Sequence, residues 1–148
     1  SEGVGGCGLV KDQARTVRII ERSAGRERDV DARYEIRADP ARGMIRVHMG
    51  GFFDQSDVQS FAADYRAELR LVAHPGQLTL VDIRDMKIQA QDVVAAFGSV
   101  MAAPDIRSRK LAFLCGSTLA RLQAQRLTDR EGVAFFDDAA AAEAWLLA

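Results

Sequence analysis

Gly132-Val-Ala-Phe-Phe-Asp-Asp-Ala-Ala-Ala-Ala-Glu-Ala-Trp145 is the stretch on which the fold turns. Val133–Phe136 is a short apolar run, bounded by a glycine on one side and two aspartates on the other, and reads as a strand. Asp137 or Asp138 is placed to cap a helix, because a carboxylate accepts the unpaired N–H groups of a first turn and favours the positive end of the helix dipole. Ala141, Ala142, Trp145 and Leu146 give that helix an apolar side. A strand running straight into an amphipathic helix is the unit of an α/β fold.

The same unit recurs upstream. Leu111–Cys115 is a buried-type strand, and Gly116-Ser117 opens a helix carrying Leu119, Leu122 and Leu127. Leu78–Ile83 is a leucine and β-branched run of the kind covered on both faces. It leads to a helix marked by Val93, Val94, Phe97, Val100 and Met101, which ends before Pro104. Ahead of it, Val58, Phe61, Ala62, Tyr65, Leu69 and Val72 fall at helical spacing, with Asp54 or Ser56 as cap and His74-Pro75-Gly76 as stop. The domain starts with a hairpin, Tyr34–Arg37 and Met44–Met49, around Asp39-Pro40-Ala41-Arg42-Gly43, where Pro40 fixes φ and Gly43 takes a positive one. The order β-β-α-β-α-β-α-β-α predicts an α/β domain over residues 34–148. Its sheet is mixed, mostly parallel and five-stranded, with an N-terminal β-hairpin, four helices and right-handed crossovers.

Residues 1–33 differ. Four of the first eight are glycine, and 21–33 is dense in alternating charge. This reads as a solvated arm, or as an arm whose segment Thr16–Glu21 adds an edge strand to its own sheet or a neighbour's.

Composition narrows function by exclusion. The chain has 148 residues, 48% hydrophobic, with 20 Lys+Arg against 21 Asp+Glu. A net charge of −1 lacks the basic excess of a dedicated nucleic-acid binder. Cys7 and Cys115 form no spaced pair, so neither a disulfide framework nor a metal site is expected, and a reducing, cytoplasmic setting fits. No apolar run approaches the roughly 20 residues of a membrane span, and the start is no signal peptide. Gly50-Gly51 belongs to no GxGxxG pattern, so no nucleotide cofactor is implied.

Several stretches resemble the SpoIIAA-like branch of the STAS fold, itself related to the Sec14 lipid-transfer fold. They are Gly43–Phe53 leading into a helix, Leu80-Val-Asp-Ile-Arg84, Lys110–Gly116, and Val133–Asp138 followed by Glu143-Ala-Trp-Leu146. The resemblance implies a scaffold for binding a protein or a small ligand. In that family, anti-sigma-factor antagonists are switched by a phosphorylated serine just after the strand matching Leu78–Ile83. Asp82–Asp92 contains no Ser or Thr and the next hydroxyl is Ser99, so that switch does not carry over.

Four groups of side chains are candidates for chemistry. Cys115-Gly116-Ser117-Thr118-Leu-Ala-Arg121 has a Cys and an Arg six apart between strand and helix, resembling the loop of cysteine phosphatases and rhodaneses. A helix N-terminus lowers a thiol pKa, and its amides with an arginine hold anions. Against this stand a single glycine in the loop and the usual fate of Cys as buried packing. Asp82 and Asp85, with Asp92, cluster at a strand's carboxyl end, where ligands of open α/β sheets bind. They could hold a cation or a partner's basic side chain there, but capping of turns is the favoured reading. His48 and His74 are the only neutral-pH bases, and neither has a nucleophile nearby in sequence. Phe52, Phe53, Phe61, Tyr65, Phe97 and Trp145 line either an apolar cavity or an ordinary core. The reading favoured is a non-enzymatic module binding a protein partner, with homodimerisation expected. A small apolar or lipid-like ligand carrier comes second, and a thiol enzyme or anion site at Cys115 and Arg121 third.

Overall fold

Period-two alternation builds the first hairpin. Tyr34, Ile36 and Ala38 are buried while Arg33, Glu35 and Arg37 between them are half-buried, as a strand with one covered face requires. In the computed structural model, residues 10–11, 16–21, 31–127 and 131–148 are described, residues 10–21 and Leu127 by backbone alone. Cys7 and most of the charged segment 21–33 lie outside the described residues.

The elements are β1 (Val10–Lys11), β2 (Thr16–Glu21), β3 (Arg33–Asp39), β4 (Met44–Gly51), α1 (Gln55–Leu69), β5 (Leu78–Met86), α2 (Gln91–Ala102), β6 (Lys110–Leu114), α3 (Thr118–Leu127), β7 (Val133–Phe136) and α4 (Ala139–Leu147). From β3 onward this is the expected order of five strands and four helices. Within it, β3–β4 is antiparallel and β4–β5, β5–β6 and β6–β7 are parallel. β2 pairs antiparallel with β3, and β1 with β2, widening the sheet to seven strands. Thr16–Glu21 thus adds to its own sheet. The described part of α1 stops at Leu69, a turn before His74-Pro75. Val72 is buried outside the helix, its N–H held by Leu69 O at 3.2 Å.

The strands lie in chain order, β1 to β7. Right-handed crossovers that always step the same way put their helices on one face. The two cores have that division. Val58, Phe61 and Tyr65 of α1, Val93 and Phe97 of α2 and Ala124 of α3 pack on Ile36, Val47, Val81 and Phe113. On the opposite face, Ala142 and Leu146 of α4 cover Met44, Leu78, Leu80, Ala112 and Leu114. Phe113 is fully buried and stacks on Phe135 at 5.4 Å between centroids. Burying such a side chain stabilises by about 1.5–3 kcal/mol.

The aromatic set read as one possible cavity lining is divided by this arrangement. Phe53, Phe61, Tyr65 and Phe97 share the larger core, and Trp145 lies across the sheet against Phe136, 5.8 Å between centroids. Phe52 points to solvent, 49% exposed.

Of the two candidate caps, Asp54 caps α1. Its Oδ1 accepts the Asp57 N–H at 2.8 Å, and Asp57 Oδ2 accepts the Asp54 N–H at 2.9 Å, a reciprocal capping box. At α4, Asp138 accepts the Ala141 N–H at 2.8 Å. The Asp57 N–H and the Ser56 hydroxyl hold the Asp54 carboxyl below its ordinary pKa. Its contribution is therefore complete above the unfolded carboxylate pKa and lost as pH falls through the lower folded value. Asp54→Ala is expected to lose about 1 kcal/mol in urea unfolding at neutral pH, and the two proteins' stabilities should converge in strong acid.

Candidate functional site

β4, β5 and β6 run parallel and end along one side of the sheet, the side on which open α/β sheets bind ligands. Every candidate from Asp82, Asp85 and His48 to the Cys115 loop lies at or near this end, but on two different faces.

On the α4 face, three strands align their outward side chains. Glu35, His48 and Asp82 are register partners across β3, β4 and β5. Beyond His48 the register slips, with Gly50 opposite Asp85, so β5 holds one residue more than β4 in this interval. In an unbroken strand, residues 82 and 85 face opposite ways. The bulge turns Asp85 to the side of Asp82, while Val81, Ile83 and then Met86 keep to the other core. His48 Nε2 meets Asp85 Oδ2 at 2.8 Å. Burial pushes the Asp82 carboxyl up, but hydrogen bonds from Arg84 at 2.7 and 3.0 Å, with the fields of Arg84 and His48, leave it below its ordinary pKa. Asp82 and Asp85 thus come together with His48 and Arg84. Asp92 does not join them. It sits on α2, across the sheet, bonded to Gln55 and to the Val93 N–H. His74 is also apart, Nδ1 3.1 Å from Val72 O.

Farther along the same face, Arg46 meets Glu143 of α4 in two hydrogen bonds of 3.1 Å and Asp39 at 3.5 Å. Those bonds draw the Glu143 carboxyl down. Arg37, Arg46, Arg84, Glu35 and Glu143 carried no signal as single residues. Their shared parity on three strands was the available clue, and it needs the strand order to be read.

On the helical face, Cys115 is 7% exposed and packs in the larger core. Burial pushes its thiol up, and the charge of Arg121 offsets this only in part. That is the reverse of what an activated nucleophile needs. Ser117 Oγ accepts the Ala120 N–H at 3.0 Å, so it caps α3. A Cβ on Gly116 would lie 3.3 Å from Arg84 O, a close approach that small size permits. Cys115 and His48 belong to opposite faces, so the sheet separates thiol from imidazole. Among the described residues no group of three or more His, Cys, Asp or Glu is placed to hold a metal ion.

The strand ends are tied together by Gln89, a residue without a motif. Its side chain accepts the Phe53 N–H and donates to Gly51 O, both at 2.9 Å, and also donates to Lys87 O. Its backbone exchanges two bonds with Gln123 of α3, at 3.0 and 2.9 Å. Phe52 and Ile88 lie in the segments that Gln89 ties together, and Leu119 and Leu122 lie on α3, which bears Gln123; all four are exposed. Beneath Gln89 lies a cavity of about 40 Å³, against Met49, Ile83, Phe97 and Phe113, and one of about 20 Å³ lies by Phe61 and Tyr65. No helix among the described residues is long and apolar enough to cross a membrane.

No family model matches the chain, and no curated protein matches it. Among solved structures it is similar to an uncharacterized protein from the DUF3478 family with a SpoIIAA-like fold, from Shewanella loihica PV-4. The two share 17% identity over 93% of this chain and 98% of that one, with a TM-score of 0.55. The likeness is one of fold, and the fold is SpoIIAA-like.

In a Cys7→Ser background, iodoacetamide should alkylate Cys115 much more slowly than free cysteine at neutral pH, reaching the free rate only on unfolding in urea. Gln89→Leu leaves the Phe53 N–H and the Gly51 carbonyl without their partner, and is expected to cost about 1–3 kcal/mol in the same urea assay.

Proposed function

We propose that this SpoIIAA-like domain is a non-enzymatic binding module that engages a protein partner, a second copy of itself included, through the apolar rim at the carboxyl ends of its parallel strands. The observation that carries the reading is the placing of exposed apolar side chains. Among the described residues six large ones are exposed, and four of these, Phe52, Ile88, Leu119 and Leu122, stand at this end. Exposed apolar surface is what interaction sites use, and these four side chains belong to segments at one end of the sheet. Gln89 holds the segments that bear them in fixed relation, so ordering them on binding costs little entropy.

The competing readings have less support. The cavities inside the larger core hold about 40 and 20 Å³, far below the roughly 300 Å³ at which ligand pockets begin. The larger space of about 480 Å³ is an open groove over α2 and α3, lined in part by Gln91, Gln123 and Arg126. Both observations disfavour an acyl chain enclosed in the core. A buried thiol with a raised pKa disfavours nucleophilic catalysis.

Light scattering on the purified chain, with affinity capture from lysate, tests the proposal against a Phe52→Ser/Leu119→Ser variant. The expected result is self-association, or a retained partner, that the variant loses. A strict monomer that captures the same proteins as its variant would count heavily against it.

A further inference from the structure

The α4 face holds a second feature, separate from the apolar rim. An open groove of about 270 Å³ has Glu35, Arg37, His48 and Asp82 on its floor, with Leu114 and Ala139 beside the first turn of α4. Its volume is close to the roughly 300 Å³ at which small-molecule sites begin.

Most charges along this face are matched. Arg46 has Glu143 and Asp39, Arg84 has Asp82, and the Asp85 carboxylate meets His48 Nε2. Glu35 and Arg37 take part in none of these pairs. Arg37 Nε is buried and has no hydrogen-bond partner among the described residues. Moreover, Arg37 stands directly opposite Arg46 across the antiparallel β3–β4 pair. Like charges so placed repel, and the two carboxylates that relieve the pair both bond Arg46. A buried unsatisfied donor in a native fold marks either a cost or a place for an acceptor from outside.

The missing acceptor has a definable chemistry. Arg37 and Glu35 are two residues apart on β3, so they share a face with Cα atoms about 7 Å apart. A purely anionic ligand on Arg37 would meet the Glu35 and Asp82 carboxylates. A purely cationic one would leave Arg37 as it is. A molecule with a carboxylate and an ammonium on neighbouring atoms satisfies both, because a guanidinium takes a carboxylate in two parallel bonds and an ammonium offers three donors to a carboxylate. We propose that this groove binds a small zwitterionic amino acid, its carboxylate on Arg37 and its ammonium on Glu35.

Amide chemical-shift titration of the full chain with L-alanine, acetate and methylammonium, at constant ionic strength, tests the assignment. Alanine should give saturable shifts at residues 35–37 and 46–48, with affinity at least about tenfold, about 1.4 kcal/mol, above either half-ligand, since each half-ligand lacks one of the two charged contacts. Arg37→Leu and Glu35→Gln should each weaken it about tenfold or more. Arg37→Leu should keep or raise the thermal midpoint, because it removes the repulsion with Arg46. An alanine response no stronger than that to acetate, or one unchanged in Arg37→Leu and Glu35→Gln, would overturn the proposal. So would a loss of folding in Arg37→Leu combined with unaltered alanine binding in Glu35→Gln. None of these outcomes touches the apolar rim, which is read by light scattering and capture.

Discussion

Handedness of the strand crossovers is the constraint on which the rest of the molecule depends. With strands in chain order, each right-handed step sends its helix to the same side. One face of the sheet is therefore covered by α1, α2 and α3, and the other has α4 alone. One nine-residue helix cannot roof a seven-stranded sheet. It covers β5, β6, β7 and the Met44 end of β4, and the outward residues of β3 and of the rest of β4 up to His48 are left for polar side chains.

This asymmetry explains why the polar groups collect where they do. An uncovered β-surface must solvate or pair its side chains, and here it pairs them with each other, across strands and to α4. The pairing is incomplete at Arg37 and Glu35, and a local conflict of that kind in a consistent fold is where function is sought. The bulge in β5 adds to the effect by turning Asp85 toward His48. The covered face has the opposite character. The two cavities inside its core are small, its cysteine is buried, and its exposed large apolar side chains include Leu119 and Leu122 on α3 beside the strand ends.

Much of the architecture was readable because it rests on local periodicity. Val133–Phe136, Leu78–Ile83 and the hairpin around Pro40 and Gly43 follow from short apolar runs and turn chemistry, and Asp54 and Asp138 cap as helix starts require. Less of the site was readable, since it is built by register. Asp82 and Asp85 were recognisable as a pair of carboxylates, but a spacing of three in a strand ordinarily separates them. Only the bulge against β4 brings both to His48. Gln89 had no signal, because its bonds go to backbone groups of Gly51, Phe53 and Lys87 that any residue supplies.

The sequence by itself determined the succession of strands and helices, the split of residues into inward and outward parity, and the absence of a serine where the resembling family is switched. These are properties of neighbouring residues, set by side-chain period and backbone preference. The tertiary structure alone decided that β1 and β2 extend the sheet, that Trp145 and Phe97 lie on opposite sides of it, and that thiol and imidazole never meet. It also decided that Arg37 faces Arg46 and that, among the described residues, no carboxylate pairs with it. Those facts depend on which strands become neighbours and how their registers align, and contacts between segments far apart in the chain are not encoded in any single stretch of it.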